Sequence, residues 1–138
     1  MQRLTQEILR LCREYGECRV EVERMEEARR VKNALESVCA MARQRLDISD
    51  PALLLALLDA CEVTRDEGML QEVLDVVGRN LDRLAVSAES VKLLACCYYY
   101  VEEKECVERA GRMLEELRKM GRGEEELADV ETILEELT

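Results

Sequence analysis

Histidine, phenylalanine and tryptophan are absent from this chain, and tyrosine supplies its entire aromatic content of 3%. Any core must therefore be aliphatic, filled by Leu, Val, Ala, Met and Cys. Without histidine, the commonest general base and the commonest metal ligand are both missing. Proline occurs once, at Pro51, and glycine six times, so few positions interrupt a helix. No apolar run approaches the roughly 20 residues that span a bilayer. The start, Met1-Gln2-Arg3-Leu4, is not a signal peptide.

What is present is 48% apolar and 37% charged residues of 138, so that the polar half is mostly charged. That division suits amphipathic helices rather than disorder, in a chain long enough to bury a core without metal or disulfide staples. The net charge is −11 and it is unevenly spread. Residues 1–50 hold ten basic and ten acidic side chains, residues 51–101 four and eight, and residues 102–138 six and thirteen. The acidic end repels a phosphate backbone and an anionic membrane alike. Cys12, Cys18, Cys39, Cys61, Cys96, Cys97 and Cys106 make an odd count with no Cys-x-x-Cys pair, and most fall within apolar stripes. They read as reduced thiols acting as small hydrophobes, in an intracellular protein of the cytoplasm or nucleus.

Apolar spacings of three and four predict seven helices. Helix 1 covers about Gln2 to Tyr15, on Leu4, Ile8, Leu11 and Cys12, with Gly16 as its stop. Residues 19–22 alternate like a strand but have no partner. Helix 2 covers about Glu21 to Leu46, on Ala28, Val31, Leu35, Val38, Cys39 and Ala42. Asp50 is a cap and Pro51 a first-turn residue for helix 3, which runs to Val63 and is apolar nearly all round. Thr64-Arg65-Asp66-Glu67 has the form of a capping box for helix 4, which reaches Leu84 on Leu70, Val73, Leu74, Val77 and Leu81. Ser87 caps helix 5, Ala88 to Val101. Helix 6 runs from Glu103 to Met120 and Gly121 ends it in a left-handed conformation. Helix 7 opens on Glu124, Glu125 and Glu126, favourable at a helix N-terminus, and carries the seam Leu127, Val130, Leu134 and Leu137.

The chain also repeats. Leu54, Leu57, Leu58 and Cys61 answer Val91, Leu94, Ala95 and Tyr98 at a shift of 37, and Val77, Gly78, Leu81 and Leu84 answer Ala110, Gly111, Leu114 and Leu117 at 33. Leu35, Val38 and Ala42 supply a weaker third copy at a shift of 39. The paired glycines suggest close helix packing. A period in the thirties made of helix pairs predicts one all-α domain over residues 1–138, a short α-solenoid of antiparallel hairpins at about 1–47, 50–85 and 87–121, with a capping helix at about 123–138. Composition and spacing leave open whether the chain is a whole protein or a segment of a longer solenoid, and the sudden entry into helix 1 favours the expectation of a segment.

The stretch Ala110-Gly111-Arg112-Met113-Leu114-Glu115-Glu116-Leu117-Arg118-Lys119-Met120-Gly121 resembles the second helix of a pentatricopeptide repeat, with Leu94, Cys97, Tyr98 and Val101 at first-helix apolar positions. Tetratricopeptide hairpins resemble the chain about equally, over one to two repeats. The resemblance implies a binding scaffold, for peptides and helices in the tetratricopeptide case. Pentatricopeptide members that read RNA place polar residues on the inner face of the first helix. Ala95 and Cys96 stand nearest to those positions and cannot read a base edge, so RNA binding is not carried over.

Three tyrosines in a row, Tyr98, Tyr99 and Tyr100, cannot all face inward. At least one is expected at a surface, where Tyr is a frequent binding hot spot. Cys96 and Cys97 read as core. The acidic clusters Glu102-Glu103-Glu105, Glu124-Glu125-Glu126 and Glu135-Glu136 lack the spacing of a calcium loop, and no cysteine set has zinc spacing. Gly121-Arg122-Gly123 is too short for a phosphate loop. Arg29, Arg30, Lys32, Arg43 and Arg45 form a basic patch whose first use is pairing with Glu26, Glu27 and Glu36. These residues together predict a non-enzymatic module without cofactor or metal. It would bind a helix or peptide of a protein partner through Tyr98, Tyr99 and Tyr100. Alternatively it would self-associate through Leu127, Val130 and Leu134.

Overall fold

The computed structural model describes the backbone of residues 2–121 and 124–137, and the side chains of residues 3–121 and 127–136. Expectations resting on Arg122 and Gly123, and on the side chains of Glu124 to Glu126 and Leu137, lie outside these. Among the described residues every regular element is helical: α1 (Gln2–Cys18), α2 (Met25–Arg43), α3 (Pro51–Thr64), α4 (Glu67–Arg79), α5 (Ala88–Val101), α6 (Lys104–Lys119) and α7 (Glu124–Leu137).

The local signals that worked act within a single helical turn, through a side chain that satisfies a free amide or a residue that takes a left-handed conformation. Asp50 Oδ1 accepts from Leu53 N at 3.2 Å, ahead of Pro51. Ser87 Oγ accepts from Ser90 N at 3.0 Å and opens α5. Gly121 closes α6 with φ +68. The capping box is corrected. Thr64 belongs to the last turn of α3 and donates its hydroxyl to Ala60 O at 2.6 Å. Arg65 takes the left-handed position, φ 57, and Asp66 Oδ1 accepts from Met69 N at 3.0 Å. A carboxylate is the stronger acceptor for a helix-start amide, so Asp66 displaces Thr64. Asp66→Ala should cost about 0.5–2 kcal/mol in chemical denaturation, whereas loss of the Thr64 hydroxyl in Thr64→Val should cost less.

Other boundaries also move. Gly16 does not stop α1, which runs two residues further to bury Cys18 at 1% exposure. A helical glycine costs only about 1 kcal/mol relative to Ala, and burial of the thiol side chain offsets it. Residues 19–22 form no strand; Val22–Arg24 is a 3-10 turn, and α2 starts at Met25 and stops at Arg43, short of Leu46. Helix 4 ends at Arg79, where the Asn80 amide side chain donates to Val76 O at 2.7 Å, and Leu81–Arg83 continues as a 3-10 turn. Gly78 and Gly111 mark no close approach, because a Cβ at either would meet nothing within 4 Å.

The chain divides into two compact units, Met1–Val73 and Leu74–Thr138, with the division inside α4. In the first, α1 packs against both α2 and α3, and α2 also touches α3. Its buried residues include Ile8, Leu11, Leu35, Ala42, Leu53, Leu54 and Leu57. Arg43 ties α2 to the start of α4, with Nε 3.0 Å from Glu72 Oε2 and Nη1 3.7 Å from Asp66 Oδ2. In the second unit α5 packs against α6 and α7, and α6 against α7. Val91, Leu93, Leu94, Ala110, Met113, Leu117 and Val130 are buried there. Arg118 of α6 reaches Glu131 of α7 at 2.9 Å. Val101, expected at an apolar first-helix position, is exposed because it sits at the end of α5.

Candidate functional site

The tyrosine run projects from the last turn of α5. Tyr99 is 70% exposed, while Tyr98 and Tyr100 are half-buried. The Tyr99 and Tyr100 rings meet edge to face, centroids 5.2 Å apart and planes at 86°. Successive helical residues point about 100° apart, which is why one ring of three must leave the core.

The C-terminal seam does not present itself as a free surface. Leu127, Val130 and Leu134 are buried, and α7 spends that face on α5 and α6. The basic patch is partly consumed by its own neighbours. Lys32 lies 4.0 Å from Glu36, and Arg43 is held by Glu72 and Asp66. Arg29 and Arg30 remain exposed and outside any ion pair among the described residues.

Six of the seven cysteines are buried, and Cys96 is half-buried. Desolvation pushes the Cys39, Cys61 and Cys97 thiols up to about 12 and Cys12 up to about 11. Such thiols stay protonated near neutral pH and are poor nucleophiles and poor metal ligands. Among the described residues, no three His, Cys, Asp or Glu side chains are grouped so as to hold a metal ion, and no helix is long and apolar enough to cross a membrane.

Sequence patterning missed two grooves, both in the first unit and both bordered by α1. The first, about 810 Å³, runs between α1 and α3. Leu9, Cys12 and Val63 supply its apolar surface. Gln6, Arg10 and Arg13 form one rim, Asp59 and Glu62 the other. Arg10 is engaged by Glu14 at 2.9 Å and by Glu7 at 3.2 Å, so its charge is largely neutralised within α1. Asp59 and Glu62 have no cationic partner among the described residues, and burial, with the Glu62 charge beside it, raises the Asp59 carboxyl above its usual range. The second groove, about 610 Å³, runs between α1 and α2. Leu9, off the Leu4–Ile8–Leu11 stripe, and Met41, off the stripe of helix 2, were the available signals, and both are exposed, at 38% and 62%. No family model matches the chain, and no curated protein or solved structure matches it significantly.

Proposed function

We propose that this chain is a non-catalytic protein–protein interaction module, a scaffold of helix pairs of the pentatricopeptide or tetratricopeptide kind that takes a helix or extended segment of a partner protein. The observation that carries this is the α1/α3 groove, with its leucine and valine surface and its two charged rims. An amphipathic helix laid into such a groove buries its apolar edge while its flanks meet the rims. The exposed Tyr99 offers a second anchor, with two rotatable side-chain angles to immobilise and a ring already braced by Tyr100. The absence of histidine and the protonated, buried thiols favour binding over catalysis. Reduced thiols at these positions suit an intracellular compartment. Self-association through α7 is less favoured, because Leu127, Val130 and Leu134 are already covered within their own unit.

Affinity capture from lysate on the immobilised chain, with protein and nucleic acid both quantified, tests the proposal. We expect a stoichiometric, nuclease-resistant protein whose recovery falls at least about ten-fold on Leu9→Glu, the fold-change that about 1.4 kcal/mol produces. Tyr99→Ala reads the second anchor in the same assay. RNA without protein, lost at moderate salt, overturns the proposal in favour of repeat-type RNA binding.

A further inference from the structure

The groove between α1 and α2 differs from its neighbour in charge. Leu4 and Val38, both half-buried, and Met41, 62% exposed, give it an apolar surface. Arg3 stands on the α1 side, and Arg45 just beyond the end of α2. Neither guanidinium is in an ion pair or hydrogen bond among the described residues. The one carboxylate in the lining, Glu7, is taken by Arg10, whose Nε donates to it at 3.2 Å. Groove and arginines thus present an apolar strip with two arginines at its borders against one carboxylate, Glu7, which is already hydrogen-bonded to Arg10. This is notable in a chain of net charge −11.

We propose that the α1/α2 groove is a second docking surface, one that takes an acidic amphipathic helix of a partner protein. Its Leu or Ile edge would lie along Leu4, Val38 and Met41, and its Asp or Glu flanks would meet Arg3 and Arg45. Flexible Met41 adapts to different apolar side chains. The arginines present planar forks that match carboxylates. Nucleic acid is disfavoured because the groove offers no aromatic ring for a base to stack on. An anionic membrane is disfavoured because its extended charge meets the acidic chain at large, whereas one helix meets only the groove and its borders. The inference does not rest on the α1/α3 groove, since the two linings share no residue.

The test is selection of a displayed library of amphipathic 20-residue helices, with a fixed leucine edge and randomised flanks, on the full chain. A parallel arm uses Leu9→Glu to disable the first groove. The expected pool from both arms is enriched in Asp and Glu flanks. A helix from that pool should bind Arg3→Glu/Arg45→Glu about ten-fold or more weaker, and Met41→Glu similarly, with helical circular dichroism retained because all three sites are at the surface. Acidic enrichment lost in the Leu9→Glu arm would assign the binding to the first groove and overturn this inference alone. A pool without acidic bias, an acidic bias unmoved by Arg3→Glu/Arg45→Glu, or binding only to phosphatidylserine vesicles would overturn it as well.

Discussion

Leu94→Ala should destabilise the chain by about 2–5 kcal/mol, whereas Tyr99→Ala, five residues on in the same helix, should stay within about 0.5 kcal/mol. Leu94 is fully buried in α5, where it contributes to the core of the second unit. Removing its isobutyl group loses transfer free energy and leaves a cavity in a core with no Phe or Trp to relax into it. Tyr99 gives up an exposed ring and its edge contact with Tyr100. With a urea slope of about 1–3 kcal/mol/M, the Leu94→Ala midpoint should fall by roughly 1–3 M and the Tyr99→Ala midpoint by little. Equal midpoints for the two variants would mean that α5 faces the other way. If Tyr99→Ala then weakens partner capture without moving the midpoint, the ring acts in binding and not in folding.

Stability should also fall steeply between pH 9 and pH 12 under reducing conditions. The Cys39, Cys61 and Cys97 thiols have an ordinary value of 9.0, and burial holds them near 12 in the folded chain. A group whose folded value is raised binds its proton more tightly when folded. Its contribution is therefore complete below pH 9 and is lost as pH rises to about 12. At 1.36 kcal/mol per pH unit, each thiol accounts for on the order of 4 kcal/mol over that window, less where neighbouring thiols share the effect. The ion pairs are a poor rival explanation. Apart from Lys32–Glu36 those found are made by arginine, which stays charged throughout. Urea midpoints at pH 7.5 and pH 10.5 should therefore diverge, and the gap should shrink in Cys97→Ala. A midpoint independent of pH would show that the thiols are not desolvated as placed.

The sequence by itself determined the helical class and most of the core. Periodicity decides which face of a helix is apolar, and an apolar face is nearly always buried somewhere. Ile8, Leu11, Leu35, Leu94, Leu117 and Val130 were all legible in this way and are all buried. So were the caps Asp50 and Ser87 and the left-handed Gly121, because their chemistry acts within three or four residues. Choices between adjacent candidates were harder. Asp66 over Thr64, and Met69 rather than Leu70 as the buried residue opening α4, depend on where the chain turns, and Arg65 turns it without a glycine to announce the fact. Ile48 is buried from a loop, outside any periodicity.

Only the tertiary structure decided the surfaces. A stripe such as Leu127, Val130 and Leu134 reads the same whether it meets another helix of its own chain or another molecule, and here α5 and α6 cover it. The grooves on either side of α1 are spaces between helices whose lining residues are up to about 57 positions apart in sequence, as Gln6 is from Val63. Their charge depends on which arginines and carboxylates are already paired. Arg10 is shared between Glu7 and Glu14 within one helix, while Arg3 and Arg45 are left at the borders of an apolar strip. Local spacing records what a residue prefers, and the packed helices determine which preferences are satisfied internally and which are left at the surface.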